Sequence, residues 1–318
     1  MGTAQAAAGD EPSTLADDVR QGGFAPGAEA ALWAVVVIWA STWIALKDAF
    51  AFISPLAFVL LRFLLMNVLA FAVLLIRRSR GDTVALTIRR ADLPVFLLAG
   101  GTGFTLYQLC AVLGLDRSSV FTLSLLVAMV PLFTMLILAV RGEPIPAFGW
   151  LGLAIAIAGV AIFLVNKREG GDTLSGALLS LGAAVSFAVY GVVSRPLTKR
   201  YPSPTYAAYT LLIGTVPFVF IGGPSLLRQD WSVVPARVWL GLIYLVIFPV
   251  YVAYQLWNYA ISRRGAAAAS SYGLIVPVLS GTLSAVILHE RFGPAKIIGA
   301  AITLAGLLVL RIKRDPAG

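Results

Sequence analysis

Residues 107–143 read YQLCAVLGLDRSSVFTLSLLVAMVPLFTMLILAVRGE. Two apolar runs meet at the charged break Asp116–Arg117–Ser118, and the second closes at Arg141 and Glu143. With the apolar residues upstream of Tyr107, each run is about 20 residues long. That is the length needed to cross about 30 Å of hydrocarbon at 1.5 Å per residue. One helix running through both would overshoot the bilayer, so the break separates two crossings. Working outward, windows of the same kind lie near 31–49, 53–76, 93–115, 118–140, 147–165, 174–194, 205–223, 238–260, 266–288 and 293–311. Short loops join them, and the chain reads as an all-α polytopic membrane protein with ten transmembrane helices.

Composition agrees. Of 318 residues, 59% are hydrophobic and 12% charged, where soluble domains run near 45–50% apolar and about 25% charged. All 15 Asp and Glu fall in the N-terminal stretch, at the ends of apolar runs or between them. A net charge of +9 could suggest nucleic acid. The basic residues, however, form short clusters between apolar runs, which fits orientation in a bilayer and no nucleic-acid partner. Of the 24 Lys and Arg, 15 fall in segments on the side of the N-terminus, 8 in the opposite loops, and Arg62 lies inside a span. Basic residues prefer cytoplasmic loops, so both termini are expected in the cytoplasm and the protein in a bacterial inner membrane. Residues 1–30 hold five acids and one base, Arg20. They lack the basic-then-apolar opening of a secretory signal and read as a disordered cytoplasmic tail. The lone Cys110 cannot form an intrachain disulfide, and a passive packing role is expected.

The opening stretch also recurs. Tyr107-Gln108-Leu109 returns as Tyr254-Gln255-Leu256, Glu143 as Glu290, Gly152 as Gly299 and Gly159 as Gly306, each 147 residues on; Pro131 meets Pro277 at 146. Ser54-Pro55 is echoed by Ser203-Pro204 at 149. The chain therefore divides into two five-helix repeats, 31–165 and 173–311. Because five is odd, the second repeat must be inserted upside down. Inverted repeats are a recurrent transporter design, with the solute near mid-membrane between halves that rock.

With Trp39-Ala40-Ser41-Thr42-Trp43 in helix 1, Arg62-Phe63 in helix 2 and the Pro…Glu…Gly…Gly pattern closing each half, the sequence resembles the drug/metabolite transporter superfamily, EamA type. The resemblance implies a central cavity ringed by helices 1–4 and 6–9, with helices 5 and 10 beside them. It also implies carriage of amino acids and other metabolites, often outward. Strict symmetry fails at Arg62, whose counterpart near Leu211 carries no charge.

Helix 8 carries the clearest polar stripe. Tyr251, Tyr254, Gln255, Asn258 and Tyr259 fall on one helical face, and amides turned to lipid would stay unsatisfied. The first four are candidate solute ligands, with Tyr259 open to an interfacial role. Tyr107 and Gln108, the inverted twins of Tyr254 and Gln255, are expected to close the opposite end of the same cavity. Arg62 stands about 10 Å from its helix end at 1.5 Å per residue. A central Arg is costly in lipid, so it should face the bundle interior, either to receive a solute carboxylate or to bond helix-end carbonyls. Ser41, Thr42, Trp43 and Tyr190 are secondary candidates, although Ser and Thr often bond their own helix. The small faces Gly152–Ala156–Gly159 and Gly299–Thr303–Gly306 suit close helix packing, here a possible homodimer contact through helices 5 and 10.

The expected function is secondary transport, in the export direction, of small polar or zwitterionic metabolites, amino acids above all. A membrane-embedded enzyme, a receptor or scaffold, and an exporter of cationic drugs are the alternatives. No nucleotide motif or metal-ligand spacing calls for a cofactor, and no span carries an acid well inside it for a proton or a cation.

Overall fold

The computed structural model describes residues 26–82, 86–165 and 172–312, so the expected tail falls almost wholly outside the described residues, as do Lys167, Arg168, Lys313 and Arg314. Among the described residues eight helices are long and apolar enough to cross a membrane, and two shorter apolar ones complete the ten. We number the spans α1 (Pro26–Ala49), α2 (Pro55–Ser79), α3 (Arg90–Asp116), α4 (Val120–Val140), α5 (Ala147–Val165), α6 (Leu174–Arg200), α7 (Ser203–Arg228), α8 (Ala236–Gly265), α9 (Ile275–Ile287) and α10 (Pro294–Ile312). They alternate in direction. α1 starts and α10 finishes at one end of the bundle, the termini end; the opposite end is the far end.

Local chemistry explains the boundaries. Ser54-Pro55 and Ser203-Pro204 each open a helix with Pro in the first turn, where the missing N–H would have no partner anyway. The Ser119 hydroxyl accepts from the Thr122 N–H at 3.1 Å and caps α4, and Thr173 does the same for α6 through Gly176 at 3.0 Å. Gly265, at φ +79°, breaks the helix between α8 and the short turn that leads to α9.

The repeats share their irregularities. α3 and α8 each contain one π-helical turn, Gly101–Leu106 and Phe248–Val252, which begin 147 residues apart and end just before Tyr107-Gln108 and one residue short of Tyr254-Gln255. α8 gains its π turn at Pro249, which has no N–H to give the regular ladder; α3 reaches the same geometry through Gly101 and Gly103. α4 is interrupted at Ala128–Met129 and α9 begins after a turn at Gly273–Leu274. Both breaks precede the matched prolines, Pro131 and Pro277. The window expected at 266–288 is thus two helical pieces.

Packing interleaves the repeats. α1 lies against α8 and α9 of the second half, α6 against α3 and α4 of the first, α2 against α7, and α5 along α10. Glycine sets the closest crossings. A Cβ on Gly159 would sit 2.4 Å from the Thr303 nitrogen, and one on Gly299 2.4 Å from that of Phe163. The small faces of α5 and α10 pack against each other within one chain. The largest apolar core gathers Leu46, Phe58, Phe63, Leu115 and Leu123 at and toward the far end.

Candidate functional site

The interior site is built on α2, α3, α6, α7 and α8. Arg62 is 7% exposed and makes no hydrogen bond or ion pair among the described residues; its Nε is wholly enclosed without a partner. An orphaned buried donor costs about 1–3 kcal/mol, more when charged. The helix-end carbonyls expected as its structural partners do not receive it. Its neighbours are the Phe63 ring, 5.6 Å from the guanidinium carbon, and Tyr107, within electrostatic reach of it. Gln108, 5% exposed, leaves its Nε2 unpaired, and Asn67 leaves its Oδ1 unpaired while its Nδ2 donates to Phe63 O and Thr215 Oγ1, both at 2.8 Å.

Around these groups stands an aromatic wall. Tyr107 packs on Phe187 with ring centroids 4.9 Å apart, Phe187 on Tyr190 at 5.3 Å, and Tyr190 stacks on Tyr206 at 6.5 Å. Gly103 makes room for this wall, because a Cβ there would meet the Tyr190 ring at 2.3 Å. Tyr254 comes from α8 to within electrostatic reach of Tyr107, Tyr190 and Tyr206, and its ring contacts Trp39 with centroids 6.0 Å apart. Nearly half of Tyr254, 47%, stays accessible.

The sequence candidates divide accordingly. Arg62, Tyr107, Gln108, Tyr190 and Tyr254 come from four helices toward one interior region. Gln255 and Asn258 follow toward the termini end, both exposed. Tyr251 sits to one side, donating to the Met66 carbonyl at 3.3 Å. It lines a small apolar cleft of about 80 Å³ between α2 and α7 with Met66, Phe104 and Leu211. Solute pockets usually reach about 300 Å³ or more, so this cleft cannot hold a metabolite as it stands. Tyr259 lies near the termini end under Arg263, 5.8 Å from its ring. Ser41 and Thr42 are held away from the cluster. Ser41 bonds Val37 O and the Tyr244 hydroxyl, both at 2.7 Å, and Thr42 donates to Ile38 O at 2.7 Å. Trp43 packs on the far-end core.

Sequence reading missed Tyr206, Phe187 and Trp39. The i, i+3 spacing that brings Phe187 beside Tyr190 is the signal in the sequence that points to the pair. It also missed a polar cluster at the far end. Asp172, in the loop before α6, accepts from the Ser119 N–H at 2.6 Å and from the Thr122 hydroxyl, and pairs with Lys296 at 2.8 Å. Both side chains are nearly sealed, at 4% and 1% exposure. Outside the spans, burial against the Asp92 carboxylate side raises the Tyr201 hydroxyl above its usual range, and Ser232 bonding lowers Asp230.

An inverted-repeat bundle with a polar, aromatic interior defines a multi-pass membrane transport protein. The family model of the EamA-like transporter family matches residues 28–165 and 174–312, and the chain belongs to that family. A probable terminal-alkyne amino-acid exporter of Streptantibioticus cattleyicolor is 31% identical over 70% of this chain and 74% of its own length. A probable amino-acid metabolite efflux pump of Salmonella typhimurium is 26% identical over 86% and 91%. A solved crystal structure at 22% identity superposes with a TM-score of 0.60, covering 91% of this chain and 99% of the other, and shares the fold.

Proposed function

We propose that the chain is a secondary transporter that exports amino acids or closely similar zwitterions across a bacterial cell membrane by alternating access, with both termini in the cytoplasm. The observation that carries this reading is Arg62, buried and unpaired beside Tyr107. A guanidinium in that position has its fork of donors free for a carboxylate, and Gln108 adds a second unused donor. The tyrosine and phenylalanine wall gives apolar contact area with hydroxyl handles, which suits a solute with one polar and one apolar end. A cationic drug finds less here, since the charged group at the centre is itself a cation. The two exporter-named relatives support the direction and the solute class.

The test is counterflow in proteoliposomes across a panel of amino acids, their amides and their decarboxylated amines. Wild type should exchange amino acids. Arg62→Gln should lose amino-acid flux about tenfold or more, as expected for a charge-assisted pair, and leave amide and amine analogues less affected. Equal losses for every solute class, or wild-type flux confined to cations, would overturn the reading.

A further inference from the structure

The break between α3 and α4 leaves carbonyls at the end of one helix and N–H groups at the start of the next, all needing partners inside a membrane protein. The other side of the molecule supplies them. Lys47, near the end of α1, donates to the carbonyls of Leu115 at 2.5 Å and Ser118 at 3.0 Å. Glu290, after α9, accepts the Val120 N–H at 3.1 and 3.2 Å through its two oxygens. Lys47 also lies within electrostatic reach of Glu290, Asp116 and Asp172. A cation thus caps a helix C-terminus and a carboxylate caps the following N-terminus, each the favourable sign for the helix dipole. Both contacts tie the α1–α8–α9 group to the α3–α4–α6 group, and both lie at the far end, where the core is tightest.

The repeat places a second set at the termini end. Glu290 corresponds to Glu143 and the break 116–118 to 263–265 at a shift of 147, and Lys47 corresponds to Arg195 at 148. Here these residues make no such tie. Arg195 and Glu143 face each other at 3.9 Å with side chains 51% and 59% exposed, and both belong to the α3–α4–α6 side. Beyond them Gln255 and Asn258 are open. The same parts are therefore locked at one end and unlocked at the other.

We propose that Lys47 with Glu290 is the gate that closes the far end, and that Arg195 with Glu143 is its twin at the termini end. In the opposite state Arg195 bonds the carbonyls of Ser262 and Gly265, Glu143 caps the helix that follows Gly265, and the Lys47–Glu290 contacts part. Each gate forms only while the other is broken. The proposal rests on the transporter reading above and assigns its gating residues.

The experiment reads accessibility directly. In a Cys110→Ser background, Ala111→Cys reports the far half, one turn beyond Tyr107, and Asn258→Cys the termini half, one turn beyond Tyr254. An impermeant maleimide is applied to either membrane face. In wild type Asn258→Cys should label from the termini face and Ala111→Cys, fully buried, should label poorly. Lys47→Ala or Glu290→Gln should raise far-face labelling of Ala111→Cys about tenfold, the equilibrium change expected from losing a charge-assisted bond, and lower that of Asn258→Cys. Arg195→Ala should move both the other way. A disulfide between Arg195→Cys and Ser262→Cys should trap the far-open labelling pattern, which keeps the test alive if the Lys47 variant does not fold. Unchanged labels in the Lys47 and Glu290 variants, the same direction of change for Lys47→Ala and Arg195→Ala, or a disulfide that leaves both labels as they were would each overturn the gate. Opposed labelling without counterflow of any solute would instead support the gate and remove the amino-acid reading.

Discussion

The two ends of the bundle descend from one sequence pattern, and the charged residues matched between them are held very differently. At the far end Asp172 and Lys296 are sealed at 2.8 Å, Lys47 and Glu290 cap a helix break, and large apolar side chains fill the space around them. At the termini end Glu143 and Arg195 meet loosely at 3.9 Å in the open. Pairing two charges does not set the strength of their contact; solvent does. A sealed ion pair has surrendered hydration and depends on its partner, whereas an exposed pair keeps most of its water.

That contrast can be tested by breaking one pair at each end. Asp172→Asn should destabilise the detergent-solubilised protein by about 3–5 kcal/mol, because Lys296 is left charged without its carboxylate, and the readout is the unfolding midpoint. An Asp172→Asn variant as stable as wild type would show that water reaches the far end. The next effect belongs to the pair of helices beside the bundle. Gly159→Val places a side chain against the Thr303 backbone, and overpacking of this kind should cost about 1–3 kcal/mol or more, measured in the same melt. At the termini end Glu143→Gln should change stability by about 0–1 kcal/mol. A loss as large as that of Asp172→Asn would mean the two ends are equally closed. Smallest of all, Asn67→Leu removes the interhelical bond to Thr215, and such bonds average about 0.6 kcal/mol in membranes. A larger loss would show that Asn67 also supports Arg62, one and a half turns away on α2.

Much of this fold was legible in the sequence, since a bilayer forces long apolar runs and loops with the charges. The break at Asp116–Ser118 stands where the sequence put it. Arg62, Tyr107, Gln108, Tyr190 and Tyr254 were legible as candidates because polar groups deep in a span are rare enough to single out. Which of them have partners was not. Ser41, a secondary candidate, is engaged by Tyr244, and that contact joins residues 203 positions apart. The far-end seal was hidden for a similar reason. Asp172 reads as an ordinary loop acid, and only tertiary packing drives it out of water. The small faces of α5 and α10 were correctly read as packing surfaces, but spacing along one helix cannot say whether the facing helix belongs to the same chain.

The π turns at Gly101–Leu106 and Phe248–Val252 have a further consequence. A π turn is an α-helix carrying one surplus residue, and each helical residue advances the azimuth by about 100°. Removing Thr102 would let α3 relax into an unbroken ladder and would swing the stretch before it by about that angle relative to Tyr107 and Gln108. Gly100, where a Cβ would meet the Thr210 carbonyl at 2.8 Å, would then point elsewhere, although every residue type of the site would survive. The shared insertion is thus a phase setting, and a single-codon deletion in either half would detune the interior without changing one side chain that lines it.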